Sequence, residues 1–219
     1  MTDTAQVALI IGAGDATGGA IARRFAAEGL TVCVTRRNAD KLGPLVAAIE
    51  AAGGTAYSFG SDARKEEQVI ALVQEIESRI GPIEVFVFNI GANVASSVLE
   101  ETARKYYKVW EMGCFAGFLT GREVARRMTT RGHGTMIFTG ATASVRGASE
   151  FAAFSGAKQG LRALAQSMAK ELGPRGIHVA HTVIDGAIHT EFIKEMFPER
   201  YVLKEKEGIL NPEHIAEAY

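Results

Sequence analysis

A fully apolar run, Val7–Ile11, passes directly into Gly12-Ala13-Gly14-Asp15-Ala16-Thr17-Gly18-Gly19, and then into apolar residues at helical spacing over 20–28. A run of five apolar residues with no polar alternation suits a strand buried on both faces. A parallel sheet covered by helices on each side provides such a place. The glycines permit a tight turn between strand and helix, and let another group approach the backbone closely. Few architectures begin this way.

The same alternation continues along the chain. Strands are predicted at 31–35, 55–59, 83–89, 135–139 and Ile177–Ile184. Between them lie helical patterns at 38–52, with Asn38 as cap and Gly53-Gly54 as stop, and at 65–79, broken by Gly81-Pro82. Two long helices are predicted at 103–130 and 151–172. This rhythm predicts an α/β fold with a doubly wound parallel sheet (a Rossmann fold), three-layered α/β/α, as one dinucleotide-binding domain over 1–219. Asn211-Pro212-Glu213 opens one more helix, too short to be stable alone.

Composition narrows the function. With 24 Lys+Arg against 25 Asp+Glu the net charge is −1, which gives no general attraction to nucleic acid or anionic membrane. No apolar run approaches the ~18 residues of a membrane span. The segment before Val7 has no basic region of the secretory type. Cys33 and Cys114 form neither a disulfide framework nor a metal-ligand cluster, and His178 and His181, three apart on a strand, face opposite ways. The expectation is a cytoplasmic, metal-free protein.

The turn at 12–18 sits where a pyrophosphate rests on a helix N-terminus. Arg36 and Arg37 end the second strand, where an NAD-binding protein usually carries a carboxylate for the ribose hydroxyls. Arginine there suits a 2′-phosphate, so NADP(H) is expected over NAD(H). Ser61-Asp62-Ala63, after the third strand, stands where a side chain reaches an adenine.

Several motifs occur in order. They are Gly12-Ala13-Gly14-Asp15-Ala16-Thr17-Gly18, Phe88-Asn89-Ile90-Gly91, Phe154-Ser155-Gly156-Ala157-Lys158 and Asp185-Gly186-Ala187-Ile188-His189-Thr190, with Gly173-Pro174-Arg175-Gly176-Ile177 before the sixth strand. Through them the chain resembles the short-chain dehydrogenase/reductase superfamily over nearly its whole length. The resemblance implies cofactor contacts at Gly12, Gly14, Asp15, Ala16, Thr17, Gly18, Arg36, Arg37, Asp62, Ala63, Asn89, Gly91, Lys158, Gly186 and Thr190. It implies catalytic positions at Lys158, Phe154, Ala141 and Gly113. The family places Tyr, Ser and Asn at the last three; here only Lys158 keeps the family's residue. The middle glycine of the turn is Ala16, and the family's last strand has no counterpart before Tyr219.

Phenyl and methyl groups neither give a proton nor hold an oxyanion. General acid–base catalysis is typically worth ~10²–10⁴-fold, so ordinary carbonyl reduction should suffer. Thr142, Ser144, Tyr106, Tyr107 and Cys114 are candidate substitutes. Ser155, one residue after Phe154, should point elsewhere on its helix. Two functions are compatible with this pattern. One is an NADP(H)-dependent oxidoreductase acting on a carbonyl or alcohol substrate at an atypical site. The other is an inactive NADP(H)-binding sensor or oligomer partner. The resemblance also implies a homodimer or homotetramer built on the long helices. Segment 191–210, with Phe192, Ile193, Met196, Phe197 and Tyr201, is expected to form a lid over an apolar small-molecule substrate.

Overall fold

The computed structural model describes residues 5–206 and 208–219; residues 1–4, part of the segment that lacks a basic region, and the side chains of Phe192, Met196 and Arg200 lie outside this description. Six parallel strands form one sheet in the order β3-β2-β1-β4-β5-β6. They are β1 (Val7–Ile11), β2 (Thr31–Arg36), β3 (Ala56–Gly60), β4 (Ile83–Phe88), β5 (Gly134–Ala141) and β6 (Ile177–Ile184). The order reverses between β1 and β4, so their carboxyl ends diverge and leave a crevice.

The helices are α1 (Thr17–Ala27), α2 (Gly43–Ala51), α3 (Glu66–Arg79), α4 (Ala103–Trp110), α5 (Ala116–Arg131), α6 (Ala152–Leu172), α7 (Glu191–Met196), α8 (Pro198–Tyr201) and α9 (Pro212–Ala216). One core layer joins Leu9, Cys33, Phe86, Phe88, Phe138 and Leu161 with residues of α3 and α5. The opposite layer joins Ile10, Val34, Val87 and Ile137 with Ile21 of α1 and Ile49 of α2. Every residue of β1 is buried, as its unbroken apolar run requires.

Two expectations need correction. Helix α1 begins at Thr17 rather than residue 20, because Gly18 and Gly19 pack directly on the turn. A Cβ at Gly18 would lie 2.5 Å from the Gly12 carbonyl oxygen, and one at Gly19 2.7 Å from that of Gly14. The helix expected over 103–130 is interrupted by a π turn at Glu111–Phe115. Such a turn inserts one residue and rotates the helix beyond it. There Gly113 meets α6 so closely that a Cβ would stand 3.1 Å from the Ala157 Cβ.

The short α9 is held by tertiary contact. Asn211 caps it, accepting from the Glu213 N–H at 3.0 Å, and Glu213 pairs with Arg23 of α1. Tyr219 Oη then bonds Thr139 Oγ1 on β5 at 2.7 Å and Thr182 Oγ1 on β6 at 2.9 Å. Among the described residues β6 has no strand on its outer side.

Phe138 is fully buried, with ring centroids 5.8 Å from Phe86 and 6.4 Å from Phe88. Phe138→Ala is expected to cost about 3–5 kcal/mol, by lost transfer energy plus a cavity. Val98→Ala, at a 71% exposed position, should stay within about 0.5 kcal/mol. Urea unfolding midpoints measure both.

Candidate active site

The crevice widens into a cleft of about 890 Å³, lined by the turn after β1, the segment after β4, the end of β5, one face of α6 and the segment 184–191. A smaller pocket of about 180 Å³ adjoins it, walled by Arg36, Arg37, Asp62, Ala63, Arg64 and Met112.

The glycine-rich turn is shaped by close backbone approach. Gly12 has φ +86, and a Cβ there would fall 2.9 Å from the Asn89 carbonyl oxygen. The Gly12 and Ala13 N–H groups donate to the Thr35 carbonyl at 3.2 and 3.1 Å. Asn89 Nδ2 donates to the Gly12 carbonyl at 3.1 Å, and the Asn89 N–H to that of Ile11 at 2.8 Å. Asn89 therefore works as a brace between the ends of β1 and β4. Gly14 is different: nothing lies within 4 Å of where its Cβ would be. That open face lies beside the start of α1, which has no side-chain cap. The first turn of a helix leaves N–H groups without intrahelical partners. Open space against unpaired donors and a positive dipole end fits a pyrophosphate.

Lys158 is 3% exposed. Its Nζ donates to the carbonyls of Ile90, just beyond β4, at 3.0 Å and of Thr139, on β5, at 2.8 Å. Two of three ammonium donors are thus anchored, leaving one for a ribose hydroxyl. Burial pushes its pKa down to about 8, countered weakly by the nearby Cys114 thiol. Burial in turn raises the Cys114 pKa, so this thiol is no ready nucleophile.

Phe154 and Ala141 both line the cleft. Gly113 does not. It is buried against Ala157 and Ala92, whose methyl groups would stand 3.1 and 3.5 Å from a Cβ there. Ser144 is buried, with its Oγ accepting from the Ala141 N–H at 3.0 Å. The Thr142 hydroxyl donates to Asp185. Ser155 departs from expectation: it lines the cleft, and its buried Oγ has no partner among the described residues.

In the smaller pocket Asp62 is gripped by Arg64, a residue that no sequence motif singles out. Arg64 donates to it through Nε at 2.8 Å and Nη2 at 2.6 Å. The side-chain bonds to this guanidinium hold the Asp62 carboxyl below its ordinary range, although burial opposes the shift. Arg36 reaches back across the turn to Asp15, Nη1 to Oδ1 3.2 Å. The cleft lining ends at Glu191, where the segment leading toward Leu210 begins. The base of this segment is closed by the bridge of Ile188 with Leu210 and by mutual bonds: the His189 N–H to the Leu210 carbonyl, and the Leu210 N–H to that of Ala187, both 2.9 Å. Thr190 Oγ1 caps α7, accepting from the Ile193 N–H at 3.1 Å. His189 lines the cleft and bonds Tyr201 Oη through Nε2 at 2.7 Å.

The Lys158 shift has a definite pH signature. Below about pH 8 the ammonium is charged folded and unfolded, and the burial penalty stands in full. Between about pH 8 and 10.5 the unfolded chain binds more protons at this site, so the site's contribution to stability rises with pH. The stability difference between Lys158→Met and the natural chain should move in favour of the natural chain across that window. The expected change is on the order of 3 kcal/mol, read from urea midpoints at both ends.

Comparison with known proteins agrees with this geometry. The short chain dehydrogenase family profile matches residues 6–200. A crystal structure of a short-chain dehydrogenase from Rhodopseudomonas palustris is 52% identical, covers 90% of this chain and 92% of its own, and superposes with a TM-score of 0.77. A short-chain type dehydrogenase/reductase from Mycobacterium marinum is 26% identical over 99% of this chain and 88% of its own, with a TM-score of 0.89. A short-chain dehydrogenase/reductase of Armillaria gallica is 31% identical over 80% of this chain and 68% of its own length. With a profile that spans the sheet, the glycine-rich turn and the lysine helix alike, the chain belongs to the short-chain dehydrogenase family, whose members bind nicotinamide cofactors.

Proposed function

We propose that the protein is an NADP(H)-dependent oxidoreductase that interconverts a carbonyl and an alcohol on a small molecule, with an atypical source for the proton. The observation that carries this reading is the pairing of an intact cofactor cradle with a cleft whose residues 154 and 141 hold no exchangeable proton. The open face at Gly14 and the uncapped start of α1 fit a pyrophosphate. The free donor of Lys158 fits a ribose hydroxyl, and Gly186 and Thr190 border the nicotinamide end. Arg36 and Arg37 fit a 2′-phosphate better than a bare ribose. When bound, the nicotinamide supplies or accepts a hydride.

The chain's own residues do the rest. Lys158 orients, and its buried charge favours an adjacent negative oxygen. Phe154 and Phe151 give the cleft an apolar wall and keep water from part of it. A proton, where one is needed, comes from water or from a polar group lining the cleft; Ser155, Thr142 and His189 with its Tyr201 partner are placed there. The segment above them, with Ile193 and Tyr201, favours a partly apolar substrate. Two cysteines without a disulfide, Cys33 and Cys114, suit a reducing cytoplasm.

A second reading, an NADP(H)-binding sensor without turnover, is favoured by Gly113. Glycine there brings no side chain for a proton relay, and it is buried against the methyl groups of Ala157 and Ala92. The test begins with fluorescence titration by NADPH and NADH, followed by turnover assays of the natural chain and of Phe154→Tyr/Ala141→Ser. The oxidoreductase reading expects tighter NADPH binding and a turnover that the double change lowers by about 10-fold or more. No turnover in the natural chain, with activity gained by the double variant, overturns it in favour of the sensor. Tighter NADH binding overturns the cofactor preference.

We also infer a homo-oligomer through α4 and α5. Tyr107, Trp110, Phe115 and Phe118 form a run of ring contacts at 5.9, 5.6 and 6.1 Å. Tyr107 is 56% and Phe118 37% exposed, an unusual cost for a face that stays in water. Light scattering is expected to give a dimer or tetramer, reduced toward monomer by Tyr107→Glu/Phe118→Glu.

A further inference from the structure

We propose that Asp15 is an internal competitor for the cofactor's 2′-phosphate, and that it sets how strongly the protein prefers NADP(H) to NAD(H). This deepens the cofactor reading above and rests on it.

Three guanidinium groups surround the smaller pocket, and they are not equivalent. Arg64 is committed to Asp62 through two hydrogen bonds. Arg37 makes no ion pair among the described residues. Arg36 lies between these states, bonded at 3.2 Å to a carboxylate that arrives from the glycine-rich turn rather than from its own strand. The Arg36 side chain is 29% exposed and that of Asp15 is 92% exposed. Asp15 therefore gains no stability from burial, and its surroundings leave it free to swing away.

A 2′-phosphate at the end of β2 carries about −1.5 to −2 charge at neutral pH and seeks the donors of the same guanidinium, whose Nη1 Asp15 already engages. Two anions cannot both be well placed on one guanidinium edge. Asp15 must leave Arg36 or share it, and in either case its own charge stays within a Debye length of the phosphate. A ribose with a free 2′-hydroxyl brings no charge and needs no displacement. The pair thus taxes the phosphorylated cofactor and leaves the other untouched. Arginine at this strand end, read alone, overstates the preference for NADP(H); the turn that holds the pyrophosphate also restrains it.

Calorimetry with 2′,5′-ADP and 5′-AMP tests this directly, because these probes carry the adenosine half alone and need no turnover. The chains compared are the natural protein, Asp15→Asn, Arg36→Ala and the double variant. Asparagine keeps the shape and the acceptor oxygen but removes the charge. Asp15→Asn is expected to tighten 2′,5′-ADP about two- to five-fold more than it tightens 5′-AMP, with this difference shrinking at high salt. In the Arg36→Ala background the same change should give little, since the competition needs Arg36. An equal gain in both backgrounds, or none in either, overturns the role of Asp15 while leaving the cofactor reading standing. If the natural protein binds 2′,5′-ADP no more tightly than 5′-AMP, the NADP(H) reading itself fails. Thermal melts of all four chains confirm folding, and Asp15 is exposed enough that Asp15→Asn should melt with the natural protein.

Discussion

The site depends on one buried ammonium. Lys158 lies on one side of the crevice, joining the carbonyl of Ile90 beyond β4 to that of Thr139 on the neighbouring β5. A buried positive charge is costly unless polar groups satisfy it. Here two backbone carbonyls do so, one just beyond β4 and one on β5, and both residues line the cleft. From Ile90 the connection runs to Asn89, then through its side chain to Gly12, and so to the turn that opens α1.

Around that frame the electrostatics separate into two halves. The cleft holds a single buried cation among apolar rings and methyl groups, a setting that rewards negative charge on a substrate oxygen but offers it no proton at positions 154 and 141. The smaller pocket holds three guanidinium groups, two of them already facing carboxylates. In the first half, positions 154 and 141 carry a phenyl and a methyl group. The second half carries charge that needs restraint. Both features sit on the scaffold without disturbing the sheet, because they reside at strand ends, turns and one helix face rather than in the packed layers.

Much of this is legible in the chain itself. The apolar run of β1 announces burial on both faces, and the glycines after it announce close approach; Gly12 and Gly18 have no room for a Cβ. The position of Lys158, four residues after Phe154 on a helix, is enough to aim it at the crevice. What periodicity does not encode is an inserted residue. The π turn at Glu111–Phe115 rotates the second half of a helix that reads as continuous, and Gly113, which the family resemblance implies is a catalytic position, lies in a helix contact. Ser155 shows the same limit. Spacing separates it from Phe154 by about 100°, yet the cleft wraps far enough around α6 to include both. Arg64 escapes sequence reading because nothing in its local pattern distinguishes a bidentate clamp from a solvated charge. Its partner, Asp62, is only two residues away, and the geometry of the loop decides.

The bridge of Ile188 with Leu210 ties the two ends of the 191–208 segment at its root. Once the ends are fixed, the entropy of closing such a loop grows only slowly with its length, by about 0.6 kcal/mol per doubling. The segment can then be lengthened, shortened or exchanged at small cost to the sheet beneath it. In evolutionary terms it is a replaceable part clipped to a standing chassis, and a change of substrate need not pass through a change of fold.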